Sequence, residues 1–171
     1  MIAYKFLATG TIGPFTDFRW QADRWVDAEA AHPCRAGIHA CRVRDLPIWL
    51  DDELWEIELD GDVLAAERKL VASRGRLTRR IEQWTPEAAH QFGRFCARRT
   101  RERVGFLPTL SGFVADVDRF VSQNRIAIAG FAAARAAELR DGPPAYDVER
   151  LAQAAWLADR LGLEPRRDLL A

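Results

Sequence analysis

His32, Cys34, His39 and Cys41 are the residues of this 171-residue chain whose types and spacing come nearest to chemistry. They form the pattern His-x-Cys-x4-His-x-Cys, and all four side chains ligate zinc. Structural zinc sites, however, favour Cys-x2–4-Cys knuckles, so zinc is not expected here. Cys41 with His39 also fits a thiol nucleophile beside an imidazole, since a nearby imidazolium stabilises a thiolate. Side chains at i and i+2 of a strand point the same way but are not aimed at one another for proton transfer, so the two cysteines are expected to be small buried apolar residues.

His39 is the more informative residue, and the elements around it decide what it can do. Residues 2–7 (Ile-Ala-Tyr-Lys-Phe-Leu) read as a strand closed by Gly10, Gly13 and Pro14. Phe15 to Trp25 has no clean period and reads as an irregular loop folding its aromatic rings onto the core. Gly37 to Cys41 reads as a second strand. Asp45-Leu46-Pro47 looks like the start of a short helix, with Asp45 as N-cap. Leu54 to Leu59 alternates, with Trp55, Ile57 and Leu59 on one face and Glu56 and Glu58 on the other, and Gly61-Asp62 is expected to end it. Residues 69–80 give another strand, on which Arg74 and Arg76 share a face. Antiparallel pairing would set them against Glu56 and Glu58, each exposed pair contributing some tenths of a kcal/mol.

From residue 85 the period becomes helical. Thr85-Pro86-Glu87 is an N-terminal signature. Phe92, Phe95 and Cys96 share one face of that helix, with Arg94, Arg98 and Arg101 on the other. Leu110, Phe113, Val114, Val117, Phe120 and Val121 fall at helical spacing. Ile126 to Arg140 is rich in alanine and expected to be buried. A last helix is expected to begin near Asp147, with Leu151, Ala155 and Trp156 inward, and to stop at Gly162. Strands first and helices afterwards predict an α+β fold: an antiparallel or mixed β-rich unit over 1–84, then a helical subdomain over 85–171 packed on it.

Composition narrows the function classes. The chain is 29% charged and 49% hydrophobic, an ordinary globular mix. No apolar run approaches the roughly 18 residues of a membrane span, and the first residues lack a signal peptide's features, so a cytoplasmic location is expected. Formal net charge is zero, yet residues 1–67 carry thirteen acidic against six basic groups, and residues 68–103 carry eleven basic against three acidic. Pairing between these segments is the expected account. Overall neutrality weakens the long-range attraction that non-specific nucleic-acid binding depends on, so nucleic acid is not an expected partner. Lysine occurs only at positions 5 and 69 amid many arginines, the bias of a GC-rich bacterial coding sequence. There is no P-loop, Gly-x-Gly-x-x-Gly, His-Glu-x-x-His, Gly-x-Ser-x-Gly or EF-hand loop.

Cys34-Arg-Ala-Gly-Ile-His-Ala-Cys41, then Leu54-Trp-Glu-Ile-Glu-Leu-Asp-Gly61 and Lys69-Leu-Val-Ala-Ser-Arg74, resembles a group of bacterial and phage domains over residues 30–80. In these a Cys-x-x-Gly-x-His-x-Cys segment precedes two strands, and no activity comes with the likeness. Gly37-Ile38-His39-Ala40 is also similar to a segment of the ADP-ribosyltransferase fold, with His39 where a tyrosine would stack on nicotinamide. Tyr4 and Lys5 stand where that fold's first strand carries His or Arg, and Glu56 and Glu58 come early for its glutamate. The functional expectation is a binding or interaction domain. The alternative is an ADP-ribosyltransferase-like enzyme, or an NAD- or nucleotide-binding protein, with a pocket around His39. Candidate catalytic residues are Lys5, His39 and Glu58, and candidate ligand-binding residues are Tyr4, Arg35, His39, Arg74 and Arg76. NAD and zinc are the cofactors weighed, and a second copy or another protein the partners left open.

Overall fold

The computed structural model describes residues 1–33 and 35–163. The chain divides into two compact units, Met1–Thr85 and Pro86–Glu164. The fold is α+β, with an antiparallel sheet first and helices after it.

The first unit contains β1 (Ile2–Leu7), β2 (Val26–Asp27), β3 (Ile38–Ala40), a 3₁₀ helix (Val43–Ile48), β4 (Glu53–Ala66) and β5 (Lys69–Arg80). β4 and β5 form a long hairpin whose turn is Glu67-Arg68. Arg42 Nη2 donates to the carbonyls of Ala66 and Glu67 at 3.0 and 2.9 Å, and Trp49 Nε1 donates to that of Arg68 at 2.8 Å. Two side chains from the 3₁₀ segment thus hold a turn with no glycine to favour it. β4 runs past Gly61, which was expected to end it. Gly61 has φ +69°, and the register shifts between Asp60 and Val63, so the glycine makes a bulge inside one continuous strand. The 3₁₀ helix begins earlier than expected. Asp45 sits in its first turn rather than at its N-cap, and its buried carboxylate accepts from Arg42 Nε at 2.5 Å.

β1 lies along the far edge of β4, while β2 and β3 share the far edge of β5. β3 then leads into Cys41, which bridges back to β1. Tyr4 N–H donates to the Cys41 carbonyl at 2.9 Å, and Cys41 N–H donates to that of Tyr4 at 2.7 Å. The strands therefore close into a ring, β1–β4–β5–β3–β1. One face of it encloses a core of Ala3, Leu7, Trp20, Ile38, Ala40, Ile57, Leu59, Leu70, Ala72 and Leu77. Glu58 pairs with Arg76 at 2.6 Å and Glu56 with Arg79 at 3.3 Å, while Arg74 faces Asp60 and Asp27. The acidic and basic strand segments thus pair across the sheet, with Glu58 on Arg76 as expected, while Glu56 meets Arg79 and Arg74 meets Asp60. Within the loop after β1, Trp20 packs into the core but Phe15 and Phe18 stay exposed.

The second unit has α1 (Pro86–Val104), α2 (Gly112–Ser122), α3 (Ile126–Asp141) and α4 (Pro144–Leu161). Five alanines of α3, from Ala132 to Ala137, are buried as its composition implies. α4 starts three residues before the expected site, with proline in its first turn, and buries a different face. Leu151 and Ala155 are exposed, while Glu149, Arg150 and Gln153 are buried. Polar partners explain the inversion. The Glu149 carboxylate accepts two bonds from Arg99, at 2.8 and 2.7 Å, and Gln153 Nε2 donates to the Gly130 carbonyl at 3.0 Å. Among the described residues no helix is long and apolar enough to cross a membrane.

Candidate functional site

The first unit carries a cleft of about 470 Å³, within the usual range of small-molecule sites. It opens where β1 and β3 part. The antiparallel register set by Tyr4 and Cys41 would continue by placing Phe6 opposite His39. That pair does not form. Instead the Lys5 ammonium donates to the His39 carbonyl at 2.7 Å, standing in for the missing ladder bond. Gly37, at the start of β3, has φ +116°, and a Cβ there would lie 2.6 Å from Val71 Cγ1 and 3.0 Å from the Ala30 carbonyl oxygen. Only glycine lets β3 enter beside β5 at this angle.

Alternation along β1 puts Lys5 on the same face as Ala3 and Leu7, so its amine is directed toward the core. The residue as a whole is half-buried, and its amine lies 5.2 Å from the centre of the Trp20 ring. No carboxylate pairs with it among the described residues. Loss of hydration on burial lowers the Lys5 amine to about 8, only partly opposed by Cys41. His39 also lines the cleft, and its Nε2 is buried without a hydrogen-bond partner. Burial, then the charges of Lys69 and Lys5, hold the imidazole below its ordinary range, so it is neutral at pH 7. Asp51, at another part of the wall, is raised above the usual carboxylate range, chiefly by burial.

Cys41 is 2% exposed, and burial pushes its thiol far up, so it is a protonated packing residue and not a nucleophile. Cys96 in α1 is in the same state. His32 is exposed in a turn, 3.2 Å from the Pro33 carbonyl oxygen, and Cys34 lies outside the described residues. Among the described residues no three His, Cys, Asp or Glu side chains gather as a metal site.

Of the residues singled out from sequence, Tyr4, Lys5 and His39 come together at the cleft. Glu58, Arg74 and Arg76 do not line it. Glu58 is engaged by Arg76, and both guanidinium groups lie over Trp25 at 4.6 and 4.7 Å from its ring centre. Arg35 is exposed and also outside the lining. Sequence reasoning missed Trp20, Trp49, Asp51 and Lys69 as cleft residues. Only Lys69 offered a signal, as one of two lysines in the chain. No protein-family model, no curated protein and no solved structure matches this chain.

Proposed function

We propose that Met1–Thr85 is a binding module for a small planar ligand of the nicotinamide or nucleobase kind, with NAD as the dinucleotide to test first. The observation that carries this reading is a pair of polar groups in one aromatic-lined cleft: a lysine amine that donates to a backbone carbonyl and has no carboxylate beside it among the described residues, and a buried His39 Nε2 with no hydrogen-bond partner among them. A ligand oxygen accepting from Lys5 and a polar edge meeting His39 would satisfy both at once, recovering free energy that burial alone has lost. Trp20 and Trp49 supply flat apolar walls for a ring.

The test is a thermal shift of the chain with NAD, nicotinamide and nicotinate. At about a hundred times the dissociation constant a ligand stabilises by about 2.7 kcal/mol. The expected result is a shift with at least one of the three that is lost in Lys5→Met and His39→Ala. No shift with any of them, or equal shifts in both variants, overturns the reading.

The transferase alternative draws its support from Asp51, a carboxylate with a raised pKa in the same wall. It predicts release of nicotinamide from NAD on incubation, which pure binding does not.

A further inference from the structure

Lys5 combines four features seldom found on one surface-reachable lysine. Its amine lies in a cleft with room for a small molecule, it faces the Trp20 ring, it pairs with no carboxylate among the described residues, and it donates to a neutral carbonyl, that of His39. A salt-bridged lysine is held protonated by its partner. An amine that donates only to a carbonyl gives up its proton at much less cost. A second group capable of proton transfer, the neutral His39 imidazole, lines the same cleft with its Nε2 uncommitted.

We propose that Lys5 is a carbonyl-directed nucleophile, which captures an aldehyde or ketone seated in the cleft as an imine. This rests on the binding reading above and names the substrate class of the same site. The Nζ lone pair forms the N–C bond to the carbonyl carbon, the carbonyl π pair moves to oxygen, and one proton passes from nitrogen to that oxygen to give a neutral carbinolamine. The second nitrogen proton then passes to the hydroxyl oxygen, the C–O bond breaks with its electron pair leaving on oxygen as water, and the nitrogen lone pair closes the C=N bond. One water is released, and nothing is oxidised or reduced. His39 Nε2, buried and uncommitted in the same cleft, is the group assigned to carry the proton from nitrogen to the departing oxygen.

Burial supports the step, because an amine at about 8 leaves roughly one molecule in ten unprotonated at pH 7, against fewer than one in a thousand for an ordinary lysine. The titratable groups that share the cleft with Lys5 are Tyr4, Asp27, His39, Cys41, Asp51 and Lys69. Cys41 opposes the shift but stays neutral itself. The chain holds only two lysines, so the chemistry can be read without ambiguity.

The experiment incubates the full chain with pyridine-3-carbaldehyde and cyanoborohydride, which reduces the imine to a stable secondary amine, and maps adducts by peptide mass. The expected result is a single lysine adduct, on Lys5, formed about 10-fold or more faster than on Lys69, with the terminal amine mapped separately by its own peptide. Its rate should rise through about pH 8 and fall in His39→Gln. Equal labelling of Lys69 and Lys5, or an unmodified Lys5, overturns the proposal. Nicotinamide, which has the same ring but an unreactive carbonyl, separates the two failures. If nicotinamide protects the fold but the aldehyde is not trapped, binding stands and imine formation falls. If neither occurs, the binding reading falls with it.

Discussion

The Lys5 amine donates to the His39 carbonyl at 2.7 Å, at the point where the antiparallel register of β1 and β3 would have continued through Phe6. A side chain has replaced a backbone bond, and the space that replacement leaves is the cleft.

Removing the Lys5 charge should stabilise the ligand-free protein. The folded amine at about 8 lies below the unfolded value near 10.5, so between these values the unfolded chain binds the extra proton and stability rises with pH. Below about 8 the full penalty is present. Lys5→Met should therefore be more stable than the parent at pH 7, by on the order of 2 kcal/mol, and the gap should close as pH rises toward 10.5. Cys41 and Cys96 act oppositely above about 9; Cys96 does not feel Lys5 and cancels in the difference, and a Cys41→Ser background removes the contribution of the thiol that does. Urea unfolding at pH 7, 8.5 and 10 checks this. A gap that stays constant refutes it.

Gly37→Ala should destabilise the first unit by about 2 to 3 kcal/mol, since φ +116° is closed to a side chain and the new methyl would meet Val71 and two backbone carbonyls. Gly112→Ala serves as control: a Cβ there meets nothing within 4 Å. Equal melting temperatures for the two variants would contradict the geometry.

Cys41 and Cys96 should be inert in the native protein. Both thiols are buried and held protonated. In a Cys34→Ser background, an aromatic disulfide reagent at pH 8 should label neither until denaturant is added, with rates at least about 100-fold below those of the unfolded chain. Rapid native labelling of Cys41 would return the thiol to the list of candidate nucleophiles.

Glu149→Gln should cost about 3 kcal/mol in the helical unit. The carboxylate is 1% exposed, and its loss strands Arg99, which donates to it twice, and Arg103 at 3.5 Å. Glu58→Gln, which breaks a half-exposed pair with Arg76, should cost less than about 1 kcal/mol and leave ligand shifts intact. Melting curves of both variants settle the comparison.

Four strands and the four helices were legible because their signals are local, whereas the two-residue β2 was not read. Alternation over Leu54–Leu59 and the Thr85-Pro86 start are written in neighbouring residues. What failed to read has a common cause. The bulge at Gly61 looks like a stop because sequence does not reveal that a partner strand continues past it. The inward face of α4 was misjudged because Glu149 and Gln153 are buried by partners fifty and twenty-three positions away. His39 and Lys5 were picked out for their residue types, but their meeting depends on two strands that part after a single bridge. Asp51 and Trp49 gave no sign, since their place in the cleft wall is fixed only by the packing of the whole unit.

The Tyr4–Cys41 bridge also carries a larger loop-closure cost than the hairpin turn. The β4–β5 hairpin joins residues close in sequence and can form early, whereas the bridge must close a loop that takes in the irregular segment after β1. Until that latch shuts, Lys5 is a solvated lysine like any other. The lowered amine thus belongs to the closed unit, and in a refolding experiment it is expected to appear only once β1 and β3 have met.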